Sequence, residues 1–228
     1  KPGRPETCAT IKKRIEELLL KARNISSVET QIITSLPLTT ATGIVKINTL
    51  LLAYSPNTST IFTYNLLTKE SGSLSTTSTG FVTAAVPKEN DYALFLATDG
   101  TLLSFNPKDK ALKPQLFTLP SSPVGHTISS LTIYNRRLYS LDAATGQLYR
   151  HETIRGGFGP GREWIKDSSL DTRGSADVTI DGDIYILNPN GVVKKFTNGL
   201  IQNFALQTTD PQLTNARHIS TYTDLTYL

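Results

Sequence analysis

The sequence predicts an all-β fold built from a repeated four-stranded unit, and three observations lead to this prediction. Beyond residue 28, short runs rich in β-branched and aromatic residues alternate with Gly, Pro, Asn and Asp. Strand–turn–strand segments recur, and aligning Leu52, Phe95, Tyr139 and Tyr185 gives steps of 43, 44 and 46 residues. Further short strands flank these hairpins, so each unit holds four antiparallel strands. A period in the low forties with four strands per unit is typical of a β-propeller.

The first predicted element is a short amphipathic α-helix at residues 8–23, with the sequence CATIKKRIEELLLKAR. Its apolar residues recur at helical spacing, at Ile11, Ile15, Leu18, Leu19 and Ala22. This stripe indicates a helix that docks on its own domain or pairs in a coiled coil. A basic helix for a membrane surface or for calmodulin is the weaker interpretation, because the polar face mixes both charges. We assign residues 1–27 to an N-terminal basic segment and this helix.

The propeller repeats follow over residues 28–228. We place them near residues 41–75, 80–120, 127–167, 175–208 and 217–228, the last one being partial. Within the fourth unit, the apolar runs of 175-SADVTIDGDIYILNPNGVVKKFTNG-199 stop at DG, NPNG and TNG. Each stop allows the positive φ that a tight hairpin needs. A β-sandwich is the main rival fold, but it gives no reason for a steady step of about 44 residues.

Four units and part of a fifth do not readily close a ring. Either the strand-like segment 30-TQIITSLP-37 completes the last blade, or further blades follow Leu228. We favour the second explanation, because the sequence stops inside an apolar strand. The chain also contains no Met at any position. We therefore expect this chain to be a piece of a longer protein.

The charge distribution argues against nucleic acid as a partner. The formal net charge is +4, and residues 1–24 account for it with seven basic and three acidic side chains. The remaining residues hold 16 basic and 16 acidic side chains. A nucleic-acid-binding domain concentrates positive charge on its folded surface. Cys8 is the single cysteine, so no intrachain disulfide can form. The cysteine content therefore does not identify the redox compartment.

Ionisable residues give no prediction of a metal, a cofactor or a catalytic group. His126, His151 and His218 occur one per repeat region, so we interpret them as turn or surface imidazoles. Three acidic residues invite a calcium site, but their spacing differs from that of a calcium loop and Asp-Gly favours a hairpin turn. These residues are Asp177, Asp181 and Asp183. We also interpret 142-DAATG-146 as a structural turn, in which Asp accepts backbone hydrogen bonds and Gly is left-handed.

A glycine-rich loop is the most unusual surface candidate. The segment GGFGPG at residues 156–161 does not favour nucleotide binding, because it runs from one strand towards another and contains Pro160. The loop lengthens one repeat and brings together two arginines and two aromatic residues, side chains that are favoured in recognition sites. We predict a binding site at Arg155, Phe158, Arg162 and Trp164. The alternative is that Trp164 packs between blades while the glycines only turn the chain.

The last third of the sequence also carries a family resemblance. The run 154-IRGGFGPGREWIKD-167 and the segments ADVTIDGDIYILNPNGVVKKFTNG and 205-ALQTTDPQLTNARHISTYTDLTYL resemble β-propeller domains of uncharacterised bacterial proteins. Some of those proteins carry a PPM-type serine/threonine phosphatase-like domain ahead of the propeller. The resemblance covers roughly residues 40–228 and implies a fold and a domain context. The metal-binding Asp motifs of the phosphatase have no counterpart in this sequence, so the resemblance implies no phosphatase activity.

These features predict a non-enzymatic interaction or sensor module that presents loops to a protein or peptide partner. Two alternatives stay open. One is a propeller enzyme of the lactonase or quinone-dependent type, which needs several acidic or His ligands converging on the central channel. The other is a structural cell-surface repeat, favoured by the Ser and Thr content. No transmembrane segment is predicted, because no apolar run approaches about 20 residues.

Overall fold

The computed structural model describes residues 5–22, 32–35, 41–167, 169–206, 211–222 and 225–227. The chain divides into two units, Lys1–Pro37 and Leu38–Leu228. The first unit contains helix α1 (Pro5–Ala22), which begins three residues before the predicted start. Pro5 suits the first helical position, where an N–H group would have no intrahelical partner. Among the described residues, no helix combines the length and apolar character that crossing a lipid bilayer requires.

The strand considered at residues 30–37 is described only in part. Residues 32–35 belong to no strand, and positions 30, 31, 36 and 37 lie outside the described residues. The predicted helix end at Arg23 also lies outside them.

The second unit consists of three four-stranded antiparallel sheets, a fourth such sheet that is extended to six strands, and a two-stranded sheet. In chain order, its strands are β1 (Gly43–Ile47), β2 (Leu50–Tyr54), β3 (Thr60–Asn65), β4 (Ser71–Ser75), β5 (Phe81–Ala85), β6 (Ala93–Ala97), β7 (Leu102–Asn106), β8 (Ala111–Thr118), β9 (Ile128–Tyr134), β10 (Arg137–Asp142), β11 (Gln147–His151), β12 (Thr153–Ile154), β13 (Gly157–Pro160), β14 (Arg162–Glu163), β15 (Asp177–Asp181), β16 (Asp183–Leu187), β17 (Val193–Thr197), β18 (Leu200–Ile201), β19 (Ser220–Tyr222) and β20 (Leu225–Tyr227). Two short 3-10 turns lie at Pro189–Gly191 and Pro211–Asn215.

Each sheet is one blade, and its strands follow one another from the inside outwards. Blade 1 has the order β1-β2-β3-β4, blade 2 contains β5-β6-β7-β8, and blade 4 has the order β15-β16-β17-β18. Blade 3 has the order β9-β10-β11-β14, so a hairpin interrupts it before its outer strand. Strands β19 and β20 form a further two-stranded sheet. The repeated four-stranded antiparallel sheet predicted from the period is confirmed.

The hydrophobic core lies between blades. Phe81, Phe95 and Phe105 of blade 2 share one buried cluster with Ile47 and Leu52 of blade 1. Similar clusters join blade 2 to blade 3 and blade 3 to blade 4. Strand β6 is buried at all five positions, because a neighbouring blade covers each of its faces. Burying a side chain of this size contributes about 1.5–3 kcal/mol, so stacked blades stabilise one another.

The tight turns lie where Gly, Asn and Asp punctuate the sequence. Gly182 has a φ of 75° between β15 and β16, so Asp181-Gly182 joins two strands as predicted. Asn190 and Gly191 have φ values of 71° and 73°. Asn198 and Gly199 have φ values of 53° and 85° between β17 and β18. The three predicted stops of this repeat therefore adopt the left-handed backbone that their residue types favour.

Asp142 ends β10 and organises the turn that follows. Its side chain is fully buried, and Oδ1 accepts hydrogen bonds from the N–H groups of Thr127 at 2.8 Å and Ala144 at 3.0 Å. Its Oδ2 accepts from Thr145 Oγ1 at 2.8 Å and from His126 Nδ1 at 2.7 Å. Burial disfavours the charged carboxylate, but these donors outweigh burial and hold the pKa of Asp142 below its ordinary value. The structural role predicted for 142-DAATG-146 is confirmed.

His126 is expected to stabilise the fold most strongly when it is protonated. Both ring nitrogens face acceptors, Asp142 Oδ2 at 2.7 Å and the Pro120 carbonyl at 2.6 Å, so both must carry hydrogens. Burial lowers the pKa of His126, but the hydrogen bonds to Asp142 and Pro120 outweigh burial and raise it. The stabilisation is complete below the ordinary pKa of about 6.5 and is lost as pH rises through the raised pKa.

Urea unfolding as a function of pH tests this expectation. The free energy of unfolding of the wild type should exceed that of His126→Gln by about 2 kcal/mol near pH 6, and the difference should shrink as pH rises. NMR titration of the His126 ring should give a pKa above the ordinary value. A value below it, or a difference that grows with pH, would contradict the doubly donating ring.

His151 differs from the predicted turn or surface imidazole. It is fully buried on β11, where Nδ1 donates to the Gly159 carbonyl at 2.9 Å and Nε2 accepts from Ser140 Oγ at 2.9 Å. Burial lowers the pKa of His151, so the neutral ring is favoured. The prediction was wrong because the acceptor, Gly159, belongs to the hairpin that folds over this strand.

Candidate functional site

The glycine-rich loop forms a hairpin that crosses to the neighbouring blade. Strands β12 and β13 pair antiparallel, and β13 then pairs in parallel with β8, the outer strand of blade 2. Two backbone hydrogen bonds hold the junction, from Leu116 N–H to the Gly156 carbonyl and from Gly161 N–H to the Thr118 carbonyl, each at 2.9 Å. A connection within blade 3 therefore extends blade 2 to six strands. The loop runs from strand to strand, as the sequence predicted.

The four residues of the predicted binding site lie in different environments. Phe158 is 5% exposed and packs in the cluster between blades 2 and 3, with Leu94 and Leu138. Trp164 is half-buried against the cluster between blades 3 and 4, and its ring centroid lies 6.4 Å from that of Phe196. Arg155 and Arg162 are exposed. The structure therefore does not bring the four side chains onto one surface, and the aromatic pair packs between blades.

Arg162 belongs to a larger group of arginines on the outer part of blade 3. Arg162 on β14 lies directly opposite Arg150 on β11, and Arg150 lies opposite Tyr139 on β10. Directly opposed residues share one face of a sheet. Arg136 and Arg137 lie at the adjacent turn between β9 and β10, and Thr153 Oγ1 of the hairpin donates to the Arg136 carbonyl. We name Arg137, Arg150 and Arg162, whose charges all act on Glu152, the blade-3 arginine cluster.

Glu152 lies within the blade-3 arginine cluster. Arg137 Nε contacts both of its carboxylate oxygens, at 2.8 Å and 3.1 Å, and Arg150 Nε lies 3.3 Å from Oε1. The hydrogen bond from Arg137 and the charges of Arg137, Arg150 and Arg162 lower the pKa of Glu152 below its ordinary value. All of these side chains are partly or largely exposed, so each pair contributes little to stability. The cluster is nevertheless chemically suited to a carboxylate, because it already holds one.

The central channel is a second candidate site. The inner strands β1, β5, β9, β15 and β19 border one cavity of about 420 Å³. Hydroxyl groups and one carboxylate line much of it, including those of Thr83, Ser130, Asp177 and Thr179. A channel of this size and polarity can admit a small polar molecule.

Asp177 and His218 meet at this channel. Asp177 Oδ1 accepts hydrogen bonds from Ser130 Oγ and Val178 N–H, and Oδ2 accepts from Ile219 N–H at 3.0 Å. His218 Nδ1 lies 3.4 Å from the same Oδ2, and its hydrogen bond with Asp177 raises the pKa of the imidazole. Asp177 thus ties blade 3, blade 4 and β19 together.

Sequence reasoning considered Asp177 and His218 separately and missed their pairing. Asp177 begins the inner strand β15 and His218 lies two residues before the inner strand β19, so only the alignment of consecutive repeats relates them. No group of three or more His, Cys, Asp or Glu side chains that could hold a metal ion occurs within the part of the chain that the structure describes.

Comparison with known proteins identifies the architecture. An auxiliary nutrient binding protein from Bacteroides ovatus ATCC 8483 is 12% identical, with a TM-score of 0.58 over 77% of this chain and 49% of that protein. The β-propeller domain of Cps50 (Swd1) from Myceliophteria thermophila is 10% identical, with a TM-score of 0.52 over 72% of this chain and 54% of that domain. U3-55K is 11% identical, with a TM-score of 0.53 over 72% and 50%.

Identities this low show the fold alone. The chain spans about half the length of each of these structures. No protein-family model matches the sequence, and no curated protein matches it. The stacked four-stranded sheets and the similar propeller structures agree, and the chain therefore has an all-β propeller fold with one short helix ahead of it.

Proposed function

We propose that this chain is a non-enzymatic β-propeller module that binds a protein or peptide partner. The observation that carries the proposal is the hairpin at residues 153–160, which departs from the four-stranded blade. It is fixed from below by buried Phe158 and from the side by its pairing with β8. Arg155 and Arg162 are thereby presented on a rigid support, which reduces the entropy lost when a partner binds.

The propeller architecture supports the same proposal. Stacked blades make a rigid body whose loops carry the variable surface. The proposed binding surface consists of exposed Arg155 on the hairpin together with Arg162 on the outer edge of blade 3. Phe158 and Trp164, which the sequence also suggested, pack against the two clusters on either side of blade 3, and we infer that they hold in place the blade that carries this surface.

The proposal also places the module within a larger protein. We infer a division into the N-terminal segment at residues 1–27 and the propeller at residues 28–228. The resemblance to bacterial proteins that carry a PPM-type phosphatase-like domain supports such a context, as does the greater length of the similar structures, of which this chain covers about half. All residues of the proposed binding surface lie within this chain, so peptide binding can be tested on the chain without any further domain.

Selection from a displayed random peptide library tests the binding function. We expect peptides to be enriched on the immobilised wild type and to lose at least about 10-fold in affinity on the double variant Arg155→Ser/Arg162→Ser. The matched control is Arg173→Ser, since Arg173 is an exposed arginine outside the proposed surface, paired with Asp171. Failure to enrich any peptide, or equal binding to all three proteins, would contradict the proposed function.

A further inference from the structure

We propose that the blade-3 arginine cluster binds an acidic peptide segment, whose Asp and Glu carboxylates dock on Arg150 and Arg162. This inference rests on the proposed function and names the chemistry of its partner. The positive charges of the propeller are unevenly distributed, although its total charge is balanced.

Arginine is concentrated in one blade. Five of the seven arginines after residue 24 lie between residues 136 and 162: Arg136, Arg137, Arg150, Arg155 and Arg162. The acidic residues of the same stretch are Glu152 and Asp142, and Asp142 is buried at the other end of β10 beside His126. Glu163 follows on β14. The outer part of blade 3 is therefore positive although the propeller as a whole has balanced charge.

Glu152 does not engage every guanidinium group of the blade-3 arginine cluster. Glu152 engages Arg137 and Arg150. By contrast, Arg162 of the cluster is exposed and has no ion-pair partner among the residues that the structure describes, and the same holds for Arg136 and Arg155 in the same stretch of the chain. Guanidinium groups bind carboxylates through two parallel N–H donors, so further carboxylates can be accommodated beside Glu152. Alternating acidic residues along an extended peptide would place successive carboxylates on one side.

The geometry favours an acidic peptide over a nucleic acid. Single-stranded nucleic acid is bound by exposed aromatic rings on which bases stack, in a basic groove that follows the backbone. The aromatic residue aligned with Arg150 and Arg162 is Tyr139, which is only 6% exposed. The propeller as a whole, the cluster included, has as many acidic as basic residues, so no extended basic groove is indicated.

Substitution of Glu152 should strengthen peptide binding, whereas substitution of the arginines should weaken it. In the proposed complex, Glu152 competes with the peptide for Arg137 and Arg150. Glu152→Gln removes the competing charge and retains the size of the side chain, so it should strengthen binding of an acidic peptide by about 3- to 10-fold. If Glu152 only supported the fold, Glu152→Gln would not strengthen binding of the acidic peptide.

Fluorescence anisotropy with labelled synthetic peptides makes the measurement. The probes are an Asp/Glu-rich dodecamer, its Asn/Gln counterpart and a single-stranded RNA of similar length. The acidic peptide should bind, and raising the salt from about 0.05 to 0.3 M should weaken it. Arg150→Gln/Arg162→Gln should reduce its affinity at least about 10-fold, whereas Arg173→Gln should not change it. Thermal unfolding followed by circular dichroism establishes that each variant is folded.

Any of the following results would overturn the inference. Equal binding of the acidic and neutral peptides would contradict an acidic peptide as the partner. Undiminished binding of the acidic peptide by the arginine double variant would do the same. Tighter binding of RNA through Arg150 and Arg162 would assign the cluster to nucleic acid. If library peptides depend on Arg155 and Arg162 but lack acidic residues, the proposed function stands and this inference fails. If no peptide depends on Arg155 and Arg162 for binding, both the proposed function and this inference are contradicted.

Discussion

Replacing Asp142 by Ala is expected to lower the free energy of unfolding by about 4 kcal/mol. The carboxylate is fully buried and accepts four hydrogen bonds, from two backbone N–H groups, one hydroxyl and His126. Removing it leaves these donors without their acceptor inside the protein. The imidazolium of His126 also loses its counter-charge. Asp142→Asn should lie between Ala and wild type, because one carbonyl oxygen remains but an amide nitrogen faces donors.

Urea denaturation of matched variants measures the effect. Asp99 is the control, because it occupies the turn of blade 2 that corresponds to the Asp142 turn of blade 3. Asp99 is exposed, and its Oδ1 accepts a hydrogen bond from Thr101 N–H at 2.8 Å. Asp99→Ala should therefore cost about 1 kcal/mol or less. Equal losses for the two substitutions would show that the buried hydrogen bonds of Asp142 are not what stabilises this turn.

Local features of the fold could be predicted from the sequence. The turns at Gly182, Asn190 and Asn198 were readable because left-handed backbone restricts the residue type at single positions. The blades were readable from their period, because stacking requires the same apolar pattern in every unit. Phe95, Tyr139 and Tyr185, aligned by that period, occupy corresponding second strands in blades 2, 3 and 4.

Long-range features could not be predicted in the same way. Nothing near residues 153–160 specifies that this hairpin pairs with β8, since its partner Leu116 lies about 40 residues earlier. The pairing of Asp177 with His218 likewise depends on the neighbouring blade. Arg150 and Arg162 are 12 residues apart and are brought together by strand pairing, so counting charges along the chain gave a neutral propeller. Phe158 and Trp164 looked alike as recognition residues because the sequence does not show which blade each one faces.

Replacing Gly157 by Ala is expected to lower the free energy of unfolding by about 4 kcal/mol, combining backbone strain with a steric collision. Gly157 has a φ of 145°, which L side chains rarely adopt. A Cβ at this position would also lie 2.6 Å from the Leu116 carbonyl oxygen, on the strand with which β13 pairs. Either the hairpin or β8 would have to move, and the burial of Phe158 between blades would be disturbed with it.

Gly100→Ala separates the two causes. Gly100 has a φ of 84° in an exposed turn, and a Cβ there meets nothing within 4 Å. Its substitution carries backbone strain alone and should cost about 1–2 kcal/mol. Urea denaturation should therefore place Gly157→Ala well below Gly100→Ala in stability, and Gly157→Ala should also weaken the peptide binding that needs Arg155 and Arg162. Equal stability of the two variants would mean that close pairing with β8 does not hold the hairpin. Weakened stability with intact peptide binding would instead show that the arginines act without the rigid support proposed for them.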